Sequence, residues 1–342
     1  MDTPIYLGHK IELDLNNKQT TYMLKACGTC RFAYNWGLNN WSKMYSEYKE
    51  DNSKQKPNAR LLRKILNSIK KKQYPWMKDV SKFATQSAFE DLEIAFKNFF
   101  EKRAKYPKFH KKGYDDSFRF LDFKVKNNKL FVPRLGWVKM RESLRFSGKP
   151  LNVTISKSSS NRWYASILVE LDQNPYSATS ENQGVVGVDL GVKNLATLST
   201  GEIIEGPKPL KKLEKKLKRL CRRRDRRQFG SRRREKSKIQ AAKLYEKISN
   251  IRHNFLDQLT TWLVNNFKTI CIEDLSTKNM MKNHKLAKAI FDMGWGIFKT
   301  MLKYKCNLRN VRLILADKFF PSSKSCANCG SILDKLDLSV RE

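Results

Sequence analysis

Between Ile5 and Leu13 the chain alternates, with Ile5, Leu7, His9, Ile11 and Leu13 on one parity, the pattern of a short half-buried strand. From 18 to 48 the spacing changes to threes and fours. Leu24, Cys27, Tyr34, Leu38, Trp41, Tyr45 and Tyr48 keep that rhythm, with Arg31 as the one interruption, and predict a helix. The polar stretch Lys49 to Pro57 separates it from a second, basic helix around 59–72. Phe89, Leu92, Phe96 and Phe99 mark a third over about 85–103. After Tyr106-Pro107 the pattern turns to strands at 118–120, 129–132, 137–140, 151–156 and 163–171, with turn residues between them. Short strands about ten residues apart predict a small β-barrel or curled sheet. The opening strand can join that sheet across the helical block, which makes 18–105 an insertion.

Residues 174–183 are polar, lack apolar rhythm and read as a linker. Beyond them strands are expected at 184–190, 195–199, 268–273 and 311–316, and helices at 208–228, 237–265 and 285–305. Such alternation defines an α/β domain, so the whole chain reads as α/β and multidomain. No internal repeat of fixed period is present.

Charge changes the picture more than composition does. The 342 residues carry 69 Lys+Arg against 33 Asp+Glu, a net charge of +36. With 40% hydrophobic residues, among them 19 Phe, 12 Tyr and 7 Trp, the chain can bury real cores and is not a disordered basic tail. A compact body of that charge repels itself unless a polyanion neutralises it, which points to a long stretch of nucleic acid. No run of 18 apolar residues is present, Met1 to Asp14 lacks a secretory profile, and acyl-anchoring motifs are missing. Seven cysteines, at 27, 30, 221, 271, 306, 326 and 329, form no even secreted framework. A cytoplasmic protein working on nucleic acid, with no membrane attachment, is expected.

Two apolar runs end in acids. Val185 to Gly191 carries Asp189, and Thr269 to Leu275 carries Glu273. In a strand Asp189 points opposite to Val186, Val188 and Leu190, and Glu273 opposite to Ile270 and Ile272. Taken singly, either acid could simply end a strand in solvent. Two acids at strand ends of one α/β sheet can converge where ligands usually bind, and a divalent metal relieves their repulsion. Two Mg²⁺ ions about 3.5–4 Å apart position a water and stabilise the leaving oxygen of a phosphodiester.

Lys208 to Lys238 holds 17 Lys+Arg and 3 acids in 31 residues, so 17 − 3 = +14 of the total charge lies there. Leu210, Leu213, Leu217 and Leu220 give it one narrow packing stripe. Lys211, Lys212, Lys215, Arg219, Arg222, Arg223, Arg224, Arg226, Arg227, Arg232, Arg233 and Arg234 are therefore candidates to meet phosphates. The alternative is a solvated charged helix. Cys326-Ala327-Asn328-Cys329-Gly330 is a knuckle-like turn, but tetrahedral Zn²⁺ takes four ligands and this pair supplies two. Cys27 and Cys30 share that spacing, yet Cys27 lies on the apolar stripe and reads as buried. His9, His110, His253 and His284 are scattered, and no Ser-His-Asp arrangement, P-loop or dinucleotide fingerprint is present.

Together these segments resemble the TnpB (OrfB) family, the RNA-guided nucleases of small insertion sequences and relatives of type V CRISPR effectors. The resemblance runs over nearly the whole length. It is carried by Cys30-Arg31-Phe32-Ala33-Tyr34-Asn35-Trp36, Tyr74-Pro75-Trp76, the stretch Tyr106 to Gly113, and Leu135-Gly136-Trp137-Val138. Gly187 to Asn194 resembles the first RuvC acidic motif, Ile272-Glu273-Asp274-Leu275 the second, and Phe320 to Gly330 the start of a zinc ribbon.

The resemblance implies a wedge-type β-barrel from 1–17 and 106–173, interrupted by a helical recognition lobe at 18–105. A linker at 174–183 leads to an RNase H-like RuvC domain over 184–342, which includes the basic helix 208–228 and a half zinc knuckle at 320–330. It also implies a guide RNA, a target DNA flanked by a short adjacent motif, Asp189 and Glu273 as Mg²⁺ ligands, and Cys326 and Cys329 as half of a Zn²⁺ site. The family's second cysteine pair and its third RuvC acid, in a D-R-D-x-N-A-A segment, do not appear before Glu342; Asp317, Asp334 and Asp337 sit outside that motif. The expectation is an RNA-guided DNA nuclease that binds well and cuts poorly as this chain. Its rivals are a nuclease-dead guided DNA binder and an unguided structural RNA-binding protein.

Overall fold

The computed structural model describes residues 4–176, 184–317 and Ser331. The chain divides into two units, 1–173 and 174–342.

In the first unit, strand β1 (Ile5–Asp14) leads directly into helix α1 (Asn17–Glu50). The join is a capping box: Asn16 Oδ1 accepts from the Gln19 N–H at 2.8 Å, and Gln19 Oε1 accepts from the Asn16 N–H at 3.1 Å. Helix α2 (Ala59–Gln73) starts on an Asn58 cap and ends at a 3₁₀ turn, Pro75–Asp79. Helix α3 (Phe83–Phe100) closes the helical block. Six strands follow: β2 (Ser117–Phe120), β3 (Lys124–Lys126), β4 (Lys129–Val132), β5 (Gly136–Met140), β6 (Lys149–Lys157) and β7 (Trp163–Leu171).

β1 does cross the helical block to join them. It pairs antiparallel with β7 from Ile5↔Leu171 to Leu13↔Trp163, and with β5 at Leu13↔Met140. Where a small barrel or curled sheet was expected, the described residues form one seven-stranded ladder in the order β2-β6-β7-β1-β5-β4-β3. Its end strands, four and three residues long, pair only with β6 and β4, so no ladder joins them. Helices and sheet share one core, in which Ile11, Leu62, Phe89, Leu92, Leu130, Val138 and Ile167 are buried. The Tyr22 hydroxyl ties three parts together, donating to the Pro133 carbonyl at 2.7 Å and accepting from the Ser81 N–H at 3.1 Å.

The second unit is built on strands β8 (Val185–Leu190), β9 (Ala196–Leu198), β10 (Ile203–Ile204), β11 (Thr269–Glu273) and β12 (Arg312–Ala316), in the order β10-β9-β8-β11-β12. β8, β9 and β10 form an antiparallel meander, whereas β8, β11 and β12 run parallel. Two long helices, α4 (Pro209–Asp225) and α5 (Arg232–Asn266), connect β10 to β11; α6 (Thr277–Met280), α7 (His284–Met293) and α8 (Trp295–Arg309) connect β11 to β12. The first half of α5 packs on α4 through Leu217, Leu244 and Ile248. Its second half delivers Leu256, Leu259, Leu263 and Val264 to the core of the sheet. The single helix expected over 285–305 is two, because Gly294 takes φ 72° between them. A Cβ there would sit 2.7 Å from Arg252 Cδ, so both the backbone and the space require glycine.

Candidate metal centre and nucleic-acid interface

β8 and β11 are neighbours in register from Thr269↔Val185 to Ile272↔Val188. Asp189 and Glu273 each lie one residue past that last pair. Alternation buries Val186, Val188, Ile270 and Ile272 on the opposite face and leaves Asp189 exposed and Glu273 half-buried. The two carboxylates thus share one face of adjacent parallel strands, whose spacing is about 4.8 Å. They sit at the C-terminal edge of the parallel part of the sheet, where ligands of such sheets bind. Oxygen donors this close and this accessible suit a hard divalent cation such as Mg²⁺.

Neighbouring acids are placed differently. Asp274 pairs with the Lys299 ammonium and donates its N–H to the Ala316 carbonyl at 3.4 Å. Asp317 follows Ala316, the register partner of Glu273, and is exposed. Among the described residues no three His, Cys, Asp or Glu side chains come together as a metal-holding group. Cys326 and Cys329 lie outside the described residues. Cys27 and Cys30 are core residues, 2% and 8% exposed, and burial pushes the Cys30 thiol up to about 12. Both stay protonated and unreactive at neutral pH.

The basic residues divide into two groups. Lys211, Lys212, Lys215, Arg219, Arg222, Arg223, Arg226, Arg232 and Arg233 are exposed. Lys215, Arg219, Arg222, Arg223 and Arg226 help line a groove of about 670 Å³ along α4. Arg224, Arg227 and Arg234 are half-buried and hold the turn between α4 and α5. Arg227 donates to Ser237 Oγ at 2.6 Å, and Arg234 to the carbonyls of Arg227 at 2.8 Å and Arg224 at 3.3 Å. Arg224 is bidentate on Asp225 at 2.8 and 3.1 Å. Glu214, the one acid in the middle of α4, faces Lys218 at 2.7 Å and also Lys288. Those hydrogen bonds draw its carboxyl down to about 2.

Sequence reasoning did not find what anchors this basic helix. Lys208, its N-cap residue, has φ 47° and makes no side-chain cap. Asp292, from α7, replaces it: Oδ1 accepts from the Leu210 N–H and Oδ2 from the Lys211 N–H, each at 3.0 Å. The sequence signal is an acid two residues before a glycine, too common to single out.

In the first unit, the segments 74–76 and 106–113 both meet helix α1. Tyr34 stacks on His110 with centroids 3.8 Å apart, and Asn35 exchanges two hydrogen bonds with the His110 backbone at 2.8 and 3.0 Å. Arg31 pairs with Asp116 at 2.8 Å, and Ser42 bonds Tyr106 at 2.9 Å. Phe32 packs edge-on against Tyr74 and Trp76, and with Trp36 these rings wall a cavity of about 740 Å³.

The fold is that of a known class. It matches the chain of a Cas12f1–sgRNA–target DNA complex with a TM-score of 0.58 at 11% identity, over 97% of this chain and 92% of that one. Family models described as "Probable transposase", "Helix-turn-helix domain" and "Cas12f1-like, TNB domain" match residues 166–284, 1–50 and 295–342. Over the second of these the described residues form β1 and one unbroken helix rather than a helix-turn-helix. A Streptomyces pristinaespiralis protein named "Putative RNA-guided DNA endonuclease" is 33% identical over 95% of this chain and 81% of its own length. "Putative RNA-guided DNA endonuclease InsQ" of Escherichia coli K12 is 32% identical over 94% and 82%. The chain belongs to the TnpB (OrfB) family of insertion-sequence proteins.

Proposed function

We propose that this protein is an RNA-guided DNA endonuclease whose second unit is a RuvC-type, RNase H-like nuclease domain. The observation that carries the reading is the placement of Asp189 and Glu273 on one face of adjacent parallel strands. Bound there, Mg²⁺ supplies Lewis-acid stabilisation of a phosphodiester's oxygens and a lowered pKa for attacking water. The protein's own part is to hold and orient. Asp189 and Glu273 hold the ion, and the exposed cations along α4 grip backbone phosphates without reading bases. Pairing between guide RNA and target then reads sequence. Two acids suffice for one ion, whereas two-metal displacement draws on further ligands. Cys326 and Cys329 would supply two of the four ligands of a Zn²⁺ site.

The test is to purify the protein through a nuclease wash, sequence the RNA that stays bound, and offer plasmid carrying the matching target with Mg²⁺. One discrete RNA species and Mg²⁺-dependent nicking lost in Asp189→Ala, with binding retained, are expected. Heterogeneous RNA, or nicking indifferent to Asp189, would refute the reading.

A further inference from the structure

At the tip of the α4–α5 hairpin Phe229 is 89% exposed. It stands in a turn closed by Gly230 at φ 78° and by the Ser231 N–H donating to the Gln228 carbonyl at 3.2 Å. One face of its ring is backed by the Arg234 guanidinium, 5.5 Å from the centroid. That guanidinium is itself fixed by the Arg224 and Arg227 carbonyls, so the ring rests on a rigid support. The groove lined by Lys215, Arg219, Arg222 and Arg226 runs along α4 toward this tip.

Water solvates an open phenyl ring poorly, and an apolar protein surface would have to bring counter-charges for the arginines around it. A nucleotide answers both requirements, with a base for the ring and a phosphate for the guanidinium groups. Cations that track a backbone, ending at an aromatic ring, are the combination that holds single strands. We propose that Phe229 is a stacking platform for an unpaired nucleobase, on the strand whose phosphates occupy the α4 groove. The inference rests on the nucleic-acid reading above and adds a base-contacting residue to it.

The test measures affinity of the full chain for single-stranded RNA, single-stranded DNA and a blunt duplex, each labelled with 2-aminopurine. Phe229→Ala should weaken binding of at least one single strand about 5- to 150-fold, the loss typical of one stacked base. Duplex affinity, salt slope and melting temperature should stay unchanged, because no phosphate contact or buried group is lost. Phe229→Trp should keep the affinity and the 2-aminopurine quenching, and the strand affected identifies the natural occupant. Equal affinities of wild type and Phe229→Ala for both single strands would overturn the stacking role alone. A wild type that binds none of the three would overturn the nucleic-acid reading with it.

Discussion

Arg252 holds Asp292 in place at the start of the basic helix: its guanidinium reaches Asp292 Oδ1 at 3.3 Å and the Asp292 carbonyl at 3.1 Å, with both side chains about 95% buried. The same carboxylate receives the first free N–H groups of α4. One acid therefore neutralises a buried cation and terminates a helix whose own N-cap residue makes no side-chain cap.

Asp292→Ala should remove both functions and leave Arg252 buried without a counter-charge. Breaking one side of a buried pair costs about 3–5 kcal/mol. For a unit of this size that is a fall in melting temperature on the order of 10 °C. Circular dichroism melts check it, and an unchanged midpoint would show that the carboxylate is dispensable.

His9 makes the first unit sensitive to acid. The side chain is 5% exposed, its Nδ1 accepts from the Arg145 N–H at 3.3 Å, and Glu142 lies 3.5 Å from Nε2. Burial, with a smaller contribution from the Arg145 charge, holds the imidazole below its ordinary value, against the opposing pull of Glu142. The folded state therefore prefers the neutral ring, while the unfolded chain takes up a proton near 6.5. The associated stability is complete above that pH and is lost as pH falls through the lower folded value. Melts between pH 7.5 and 5 should show the decline, and His9→Gln should flatten it. A slope that survives the substitution would place the acid sensitivity elsewhere.

Mg²⁺ should stabilise the second unit without any nucleic acid. At about tenfold excess over its Kd a ligand adds about 1.4 kcal/mol, or about 3–6 °C here. Asp189→Asn should abolish that increment while leaving the metal-free midpoint at or above the wild-type value. A Mg²⁺ increment equal in both proteins would mean that the ion binds somewhere other than β8 and β11.

The arginines should separate by occupation. Replacing Arg219, Arg222 and Arg226 by Ser should lower the salt slope of duplex binding by up to about 2.7, at about 0.9 per phosphate contact, with little change in melting temperature. Arg227→Ser should do the reverse, because it removes the partner of buried Ser237. Filter binding from 50 to 200 mM salt reads the first effect and thermal melts the second. Matching behaviour of the two variants would erase the distinction drawn from the geometry.

Parity and periodicity located most elements to within two or three residues, since each had a face to bury. Ile5 to Leu13 and Trp163 to Leu171 could only alternate if one side met a core, and both do. The elements that escaped notice are short, with little to bury: β3 is Lys-Val-Lys, β10 is two residues long, α6 buries nothing, and the 3₁₀ turn at Pro75–Asp79 buries Met77. That Asp189 and Glu273 share one face was legible because alternation along a strand fixes the direction of each side chain. What the arginines do was not legible. Arg226 and Arg227 are adjacent and equally charged, and only the fold of the turn decides that Arg227 bonds the Arg233 carbonyl and Ser237 Oγ while Arg226 stays exposed.

The contacts between α1 and the stretch before β2 carry a consequence for how such chains change over generations. As the helix position rises from Arg31 through Tyr34 and Asn35 to Ser42, its partner falls from Asp116 through His110 to Tyr106, so the stretch lies antiparallel along the helix. A change in one stretch removes a partner from the other: recoding Arg31 leaves Asp116 without its guanidinium, and losing the ring at 34 unstacks the ring at 110. Across descendants the two segments should vary as a coupled ladder of opposite polarity, inherited as a single character although some seventy residues of helix and turn are spliced between them.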